Sequence, residues 1–336
     1  MNTHFYVGGL KLAYPIILGT GVCKDPGQLS PYMRADSSYG AVVVGSVTQD
    51  ARPQNEGVVQ WPESYDDFIR TGSGFNSFGM PNPGIEKFLK RLTKVPLLCP
   101  GIVSIAGFSA EEYAHCAQLA NACKNVSAIE INWGCGNTGK LPAAYSYENA
   151  HAILQALENL SLSSDSPIKP LWIKLSPYIT VKEHSKLAAQ HPDIDFSAAP
   201  VVKASFPATM VRLIAQYPFV KAIVFSNTLA NCRKLGSGNK PVTTPFGGKA
   251  GLSGPILKEI SLRLIREAHA ALPSRCDIGL IHCGGVLHGD DAADAFVAGA
   301  VAVQCTSGPA WSRDGPRFAT DLIAGSDRLQ QYLSRD

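Results

Sequence analysis

The chain has 336 residues, of which 45% are hydrophobic and 17% are charged, and its formal net charge is +3 at pH 7. This composition excludes a disordered or fibrous chain. The 30 basic and 27 acidic residues form no long basic run, so a small-molecule ligand is favoured over a nucleic-acid partner. No apolar stretch approaches the roughly 20 residues of a membrane span, and the N-terminus lacks a signal-peptide pattern. We therefore expect a cytoplasmic protein with no membrane partner.

Cysteine and histidine spacing bears on redox state and metal binding. The nine cysteines are an odd number and include no CxxC pair, which favours reduced thiols. The eight histidines form no HExxH or HxH motif, so we expect no metal site.

Short apolar runs recur along the chain, and each is followed by a stretch with helical spacing. Runs such as AVVV and AIVF are continuously apolar, which is typical of parallel strands that are buried on both faces. Eight such runs predict an α/β fold of the (β/α)8, or TIM, barrel type, and without a linker we expect one domain over residues 1–336. The predicted strands are Pro15–Leu18, Ala41–Val47, Gly101–Ala106, Ala128–Asn132, Leu171–Leu175, Ala222–Ser226, Ile278–Cys283 and Val301–Gln304.

Helices are predicted between these strands. The clearest begins at Ser109, where Glu112 three residues later gives the pattern of a capping box. The others are predicted over Gly84–Leu92, Glu148–Leu160, Val181–Gln190, Ala208–Gln216, Ile256–Ala271, Asp290–Ala298 and Pro316–Ala324.

Two segments are too long for simple barrel connections. Gln54–Gly79 follows the second predicted strand, and Leu229–Gly254 follows the sixth. Long ordered loops in compact domains are usually functional, and barrel active sites form at the C-terminal ends of the strands. We therefore expect both segments to be active-site loops.

Glycines and hydroxyl side chains follow the last two predicted strands. Gly284 and Gly285 end strand seven, and Thr306 and Ser307 end strand eight. A phosphate needs backbone N–H groups that can approach it closely, and glycines permit this approach. The pattern predicts a phosphate-bearing cofactor.

Lys174 stands among apolar neighbours in WIKLSP, where an unpaired charge is costly. One interpretation pairs it with a buried carboxylate, for which Glu130 is the candidate on a barrel strand. A second directs its ammonium toward the N1 and O2 edge of a flavin. The third is a Schiff-base lysine of an aldolase-like barrel.

Cys135 lies between two glycines in the loop NWGCGNTGK. A cysteine is most often a small buried hydrophobe, but this setting favours a thiol held over a pocket for general acid/base work. Asn76, Asn132, Asn137 and Asn227 are predicted to converge on the same mouth. Single asparagines are commonly turn residues, but together they match the alternating NH and C=O edge of a cyclic imide or dihydropyrimidine.

Six motifs resemble, in order, those of dihydroorotate dehydrogenases, and the resemblance extends from about Phe5 to Phe318. The motifs are GFNSFGMPNPG, IEINWGCGNTGK, WIKLSP, FSNT, GLSG and HCGGVLHGDDAADAFVAGAVAVQCTS. The resemblance implies an FMN-binding barrel of the soluble class, in which the base is a cysteine. Cys135 would then take a proton from C5 of dihydroorotate while a hydride passes from C6 to N5 of FMN.

The resemblance also implies roles for individual residues. The substrate would be bound by Asn76, Gly79, Met80, Asn132, Asn137, Asn227 and Thr228. The cofactor would be bound by Thr20, Gly21, Ser46, Asn132, Lys174, Gly254, Gly284, Gly285, Thr306 and Ser307. A homodimer is implied, and fumarate is the favoured electron acceptor, although no residue pattern identifies the acceptor.

The chain departs from the family at two places. Gly45 occupies the position of a strand-two lysine that sits against flavin and substrate, so a cation near the substrate is lost. In the base loop, Gly134 and Gly136 replace a serine and a proline and Trp133 replaces a leucine, which predicts a looser loop. The alternatives are therefore a relative that acts on another cyclic amide or dihydropyrimidine, a non-catalytic FMN-binding relative, and a flavin-free lyase that uses Lys174.

Overall fold

The computed structural model describes residues 4–33, 36–136, 141–163 and 167–334. At its centre, eight parallel strands form a closed barrel in chain order, which confirms the predicted (β/α)8 fold. We number these barrel strands one to eight: Ile16–Leu18, Ala41–Val47, Gly101–Ile105, Ala128–Asn132, Leu171–Leu175, Val220–Phe225, Gly279–Cys283 and Ala302–Cys305. Each predicted strand overlaps its observed counterpart, with boundaries that differ by at most two residues.

Helices connect the barrel strands and pack outside them. The α-helices of the described residues are Tyr65–Thr71, Ile85–Leu92, Ala110–Ala122, Tyr147–Ser163, Val181–Gln190, Phe206–Ile214, Pro245–Gly248, Lys258–Ala271, Gly289–Val297, Ser307–Trp311, Phe318–Ala324 and Asp327–Leu333. Short 3-10 turns cover Pro26–Tyr32, Ala143–Tyr145, Ser237–Asn239, Pro255–Leu257 and Gly315–Arg317. Within the described ranges, no helix combines the length and apolar character that crossing a bilayer requires.

The start of helix Ala110–Ala122 corrects one local prediction. The Ser109 hydroxyl accepts a hydrogen bond from the Glu112 amide at 3.3 Å, as expected of an N-cap. The Glu112 carboxylate, however, accepts from the Phe108 amide at 2.6 Å instead of from Ser109. The helix is therefore capped, but the reciprocal bond reaches one residue further back than a capping box requires.

An N-terminal hairpin closes the barrel at the end opposite the predicted site. Its strands, Phe5–Val7 and Leu10–Leu12, pair antiparallel around Gly8 and Gly9. Val7 and Leu12 are fully buried in the cluster that fills the barrel interior. The Trp172 indole N–H, at the start of strand five, donates to the Gly8 carbonyl at 2.8 Å. The hairpin thus belongs to the barrel core, although it was not among the predicted elements.

The two long segments pair with each other in one sheet, which also includes a short strand from the connection between strands five and six. Five short strands pair antiparallel in the order Ile194–Asp195, Leu229–Lys234, Ala250–Ser253, Gly74–Asn76 and Gln60–Trp61. We call these strands the cap sheet. Its central pairing aligns Gly251 with Asn76, which joins the segment after strand six to the segment after strand two. Because these segments follow the C-terminal ends of their barrel strands, the cap sheet covers that end of the barrel.

Candidate active site

A cavity opens between the C-terminal ends of the barrel strands and the cap sheet. Most of the predicted site residues line it: Thr20, Gly21, Ser46, Asn76, Met80, Asn132, Cys135, Lys174, Asn227, Thr228, Thr306 and Ser307. Gly79 is buried between two lining residues, Phe78 and Met80. The predicted substrate residue Asn137 lies outside the described residues. The barrel therefore brings together side chains that are spread over nearly 290 positions of the sequence.

A second cavity continues from the first toward strands seven and eight. Its lining includes the predicted Gly254, Gly284 and Gly285, and it shares Thr20, Asn76, Lys174, Asn227, Thr228, Ser253, Thr306 and Ser307 with the first cavity. All three glycines have positive φ angles of 103°, 133° and 73°, respectively. Their backbones bring amides to this cavity in conformations that other residues seldom adopt. The two cavities form one elongated site. We call the part that these three glycines line its phosphate-type end, because a phosphate needs a backbone that it can approach closely.

The asparagines at the first cavity form a connected network. The Asn132 amide donates to the Ser46 hydroxyl at 2.7 Å, and its carbonyl accepts from the Asn227 amide at 2.8 Å. The same carbonyl accepts from the Gly134 backbone N–H at 3.1 Å. The Asn227 carbonyl in turn accepts from the Thr228 amide at 2.7 Å. The network fixes the orientation of both amide side chains, which is what recognition of a polar ring edge requires.

The segment that carries Cys135 is closely packed on both sides of the cysteine. A Cβ atom on Gly134 would lie 2.6 Å from that of Asn227, and a Cβ on Gly136 would lie 2.5 Å from that of Ala230. Trp133 is buried, and its backbone amide donates to the Lys174 carbonyl at 3.1 Å. Gly134 and Gly136 are therefore needed for close packing against the segment after strand six, and the looser loop stays a prediction.

Lys174 belongs to a buried polar cluster at the floor of the site. Its ammonium donates to the Gln304 side-chain carbonyl and lies 3.9 Å from the Glu130 carboxylate. That carboxylate also accepts from the Gln304 amide at 2.7 Å and from the Thr20 hydroxyl at 2.6 Å. Lys174, Glu130 and Gln304 are at most 3% exposed. The predicted pairing with Glu130 is therefore present, and Lys174 lines both cavities at the same time.

This arrangement disfavours the Schiff-base interpretation of Lys174. A lysine nucleophile must present a neutral amine to a carbonyl carbon. Here the nitrogen is ion-paired and hydrogen-bonded in the low-dielectric interior, where the carboxylate stabilises the ammonium ion. The arrangement favours a fixed positive charge that faces a bound ligand.

The second cavity also contains a polar atom for which a ligand would supply a partner. The Ser226 hydroxyl is buried, lines this cavity and makes no hydrogen bond to any described residue. A buried hydroxyl without a partner is costly, so a ligand with hydroxyl or phosphate groups would satisfy it. Together with the glycine backbone, Thr306 and Ser307, this hydroxyl fits the ribityl phosphate part of FMN.

Gly45 in strand two has a backbone conformation that other residues rarely adopt. Its φ angle is 119°, and a Cβ atom at this position would lie 2.7 Å from the Ser104 carbonyl oxygen. The position therefore combines an unfavourable φ with a backbone collision. A lysine could not be restored here without a shift of the barrel strands.

We expect Gly45→Ala to lower the free energy of unfolding by about 3 kcal/mol, because it adds both φ strain and overpacking. Gly72→Ala is the matched control, since Gly72 has a φ of 63° with no atom within 4 Å of the added Cβ. It should cost only about 1 kcal/mol. Urea denaturation of the three proteins measures both costs, and equal costs would contradict the collision at Gly45.

Lys24 is a lining residue that the sequence did not reveal. It follows strand one, and its ammonium lies 3.0 Å from the centroid of the Phe78 ring. Burial lowers the pKa of Lys24 to about 8. No motif contains this lysine, and only the folded barrel places it at the cavity beside Gly45.

Comparison with known proteins agrees with this geometry. A family model described as dihydroorotate dehydrogenase matches residues 3–202 and 196–329. The catalytic subunit of dihydroorotate dehydrogenase B (NAD(+)) from Staphylococcus carnosus is 28% identical over 301 residues, which cover 88% of this chain and 83% of the relative. A putative dihydroorotate dehydrogenase A (fumarate) from Pediococcus pentosaceus is 26% identical over 327 residues, with coverage of 95% and 91%.

A solved structure shares the fold. The DHODH of Eimeria tenella in complex with ferulenol superposes with a TM-score of 0.72 over 98% of this chain and 84% of that chain. Their sequence identity is 16%, so this likeness bears on the barrel architecture alone.

Proposed function

Because this chain belongs to the dihydroorotate dehydrogenase family, we propose that it oxidises dihydroorotate to orotate, a step of pyrimidine biosynthesis. The enzymes of this family are FMN-dependent oxidoreductases that act on the CH–CH bond of dihydroorotate. One observation carries the proposal: Cys135, the Asn132–Asn227 network and Lys174 line one cavity that continues to a glycine-rich, phosphate-type end. We include in the proposal that residues 1–336 form one FMN-binding domain.

In this proposal, the two ends of the elongated site bind different groups, and the residues near strands seven and eight bind the cofactor. Gly254, Gly284, Gly285, Thr306 and Ser307 would hold the phosphate and ribityl chain of FMN, and Lys174 would place its charge against the isoalloxazine. When bound, FMN supplies the hydride acceptor at N5.

At the substrate end, the asparagines orient the dihydropyrimidine through its amide edge. The Cys135 thiolate removes the proton from C5 as the hydride leaves C6, so the ring loses two electrons and two hydrogens and becomes orotate. The asparagine network and the Gly134 hydrogen bond hold the base and the ring in place, and this positioning provides much of the rate.

The reduced protein needs an electron acceptor. The relatives above include one type named for NAD(+) and one named for fumarate. We keep fumarate as the acceptor that was expected, and reoxidation of the reduced protein by fumarate or by NAD(+) distinguishes the two. We also propose a cytoplasmic homodimer, which sedimentation analysis of the purified protein tests.

Gly45 favours a second candidate function. The strand-two position contributes no cation, so the substrate could instead be an uncharged dihydropyrimidine or another cyclic amide. Dihydrouracil is the simplest such compound, because it lacks the carboxylate of dihydroorotate.

The direct test is anaerobic reduction of the purified holoprotein. We expect dihydroorotate to bleach the oxidised-flavin absorbance rapidly, and dihydrouracil to do so much more slowly. A yellow protein that dihydrouracil bleaches and dihydroorotate does not would support the second candidate. A protein that neither compound reduces would contradict both.

A further inference from the structure

We propose that Lys24 binds the carboxylate of the substrate and so replaces the cation that Gly45 removes from strand two. This inference rests on the proposed function, because it identifies the group that recognises the charged end of dihydroorotate. It makes Lys24 a specificity-determining residue that selects a carboxylated dihydropyrimidine over an uncharged one.

The backbone places Lys24 directly beside the missing side chain. The Gly45 amide donates to the carbonyl of Cys23, the residue that precedes Lys24, at 3.1 Å. Lys24 and Gly45 line the same cavity, together with Cys135. The loop after strand one therefore brings a long basic side chain to the cavity that Gly45 lines without a cation of its own.

The charge of Lys24 is not matched by the protein. Its ammonium makes a cation–π contact with the Phe78 ring and forms no ion pair with any described residue. The adjacent Asp25 is instead paired with Arg91. Because burial removes water from the ammonium without supplying a carboxylate, its pKa is lowered. An anionic ligand would restore the missing partner and gain a charge-assisted hydrogen bond.

The opposite side of the same region offers backbone donors. Phe78 directly precedes Gly79 and Met80, which have consecutive positive φ angles of 82° and 59°. Their two amides donate no hydrogen bond to any described residue. Successive N–H groups in such turns form anion-binding concavities, and strained non-glycine residues such as Met80 concentrate at ligand sites. These amides, which the family resemblance assigns to the substrate, thus belong to the loop whose Phe78 ring contacts Lys24 at the same cavity.

No other cation in the described lining can serve this purpose. The basic residues of the first cavity are Lys24 and Lys174. Lys174 is already paired with Glu130 and Gln304 at the floor of the site. Lys24 is therefore the cation of this described lining that forms no ion pair with a carboxylate of the protein.

The test compares orotate, which has the carboxylate, with uracil, which lacks it. Binding to the oxidised holoprotein is measured by calorimetry for the wild type, Lys24→Met, Lys24→Arg and the exposed control Lys203→Met. We expect Lys24→Met to weaken orotate binding about 10- to 100-fold and to leave uracil binding unchanged, as for a charge-assisted contact. Lys24→Arg should retain most of the orotate affinity, and Lys203→Met should match the wild type.

Two outcomes separate this inference from the proposed function. If dihydroorotate reduces the wild-type flavin but Lys24→Met binds orotate normally, the function stands and the role of Lys24 is refuted. An equal loss for orotate and uracil would also refute it, since this would indicate a general structural effect. A wild type that dihydroorotate does not reduce and that does not bind orotate would refute both.

The pH dependence of binding gives a second readout of the charge on Lys24. Because Lys24 loses its proton around pH 8, orotate affinity should fall about tenfold between pH 7 and pH 9 relative to uracil. The neighbouring Cys23 has a pKa raised to about 12 by burial and keeps its proton throughout this range. Cys135 also faces the cavity, and a charge there would act on anionic orotate more than on neutral uracil, so the same titration of Lys24→Met supplies the baseline. A constant orotate-to-uracil ratio would overturn the inference.

Discussion

Replacing Cys135 with serine should slow the reduction of bound flavin by dihydroorotate about a hundredfold or more at pH 7, the usual contribution of a positioned general base. A serine hydroxyl is slightly smaller than the thiol and fits the same space, so the packed 133–136 segment should keep its structure. It is a far weaker acid, however, so almost none of the required anion is present at neutral pH. Stopped-flow absorbance under anaerobic conditions measures the rate.

Cys276→Ser is the matched control, because Cys276 is also partly exposed but does not line either cavity. Its flavin reduction should proceed at the wild-type rate. Orotate binding to Cys135→Ser should be preserved, which would separate a loss of proton transfer from a loss of the site. Wild-type reduction by Cys135→Ser would mean that another group removes the proton.

Lys174→Met should lower the free energy of unfolding by about 3–5 kcal/mol, because removal of one partner leaves a buried charge uncompensated. Glu130 would remain fully buried with two neutral hydrogen-bond donors but without its ammonium. Urea denaturation at pH 7 measures the loss in the apoprotein, where a contribution from bound flavin is absent.

Two further variants test whether the loss arises from the unpaired carboxylate. Adding Glu130→Gln to Lys174→Met should recover part of the stability, since the carboxylate is then removed, and a double-mutant cycle gives the coupling. Lys221→Met breaks an ion pair of 3.2 Å in which the Asp277 side chain is 92% exposed. This exposed pair should contribute about 1 kcal/mol or less. If Lys174→Met lowers the free energy of unfolding no more than Lys221→Met does, the buried ion pair does not stabilise the polar cluster at the floor of the site.

The barrel could be predicted because its strands carry a local signal. The strands Ala41–Val47 and Val220–Phe225 contain the continuous apolar runs AVVV and AIVF, and the predicted and observed bounds of Ala41–Val47 agree. The barrel topology then places the residues after every strand at the same end. This is why Cys135, Lys174 and Asn227 could be expected to meet without any knowledge of distances.

The cap sheet and the hairpin were missed for different reasons. The cap strand Gly74–Asn76 is short and includes a glycine, and it pairs with a partner about 175 residues away, so no local pattern predicts it. The hairpin did have a local signal, because Gly8 and Gly9 form a two-residue turn between apolar residues. A hairpin template applied to residues 5–12 would have found it.

Within the site, the motifs identified the residues that they contain. They did not identify the contacts of residues that only the folded barrel brings next to each other. Gly45 was recognised as the loss of a cation, whereas Lys24 could not be linked to it because Lys24 lies in the loop after strand one and Gly45 lies in strand two. Glu130 was named as a possible partner of Lys174, but the participation of Gln304 and Thr20 depends on barrel closure between strands eight and one.

The pairing of the two cap segments constrains the order in which the protein matures during synthesis. Asn76 leaves the ribosome long before its partner Gly251, and closing so large a loop costs entropy before the contact is made. The glycines and hydroxyls of strands seven and eight emerge later still. A nascent chain therefore cannot capture its cofactor until almost all of it has been translated, and flavin loading should be a post-translational event that follows barrel closure.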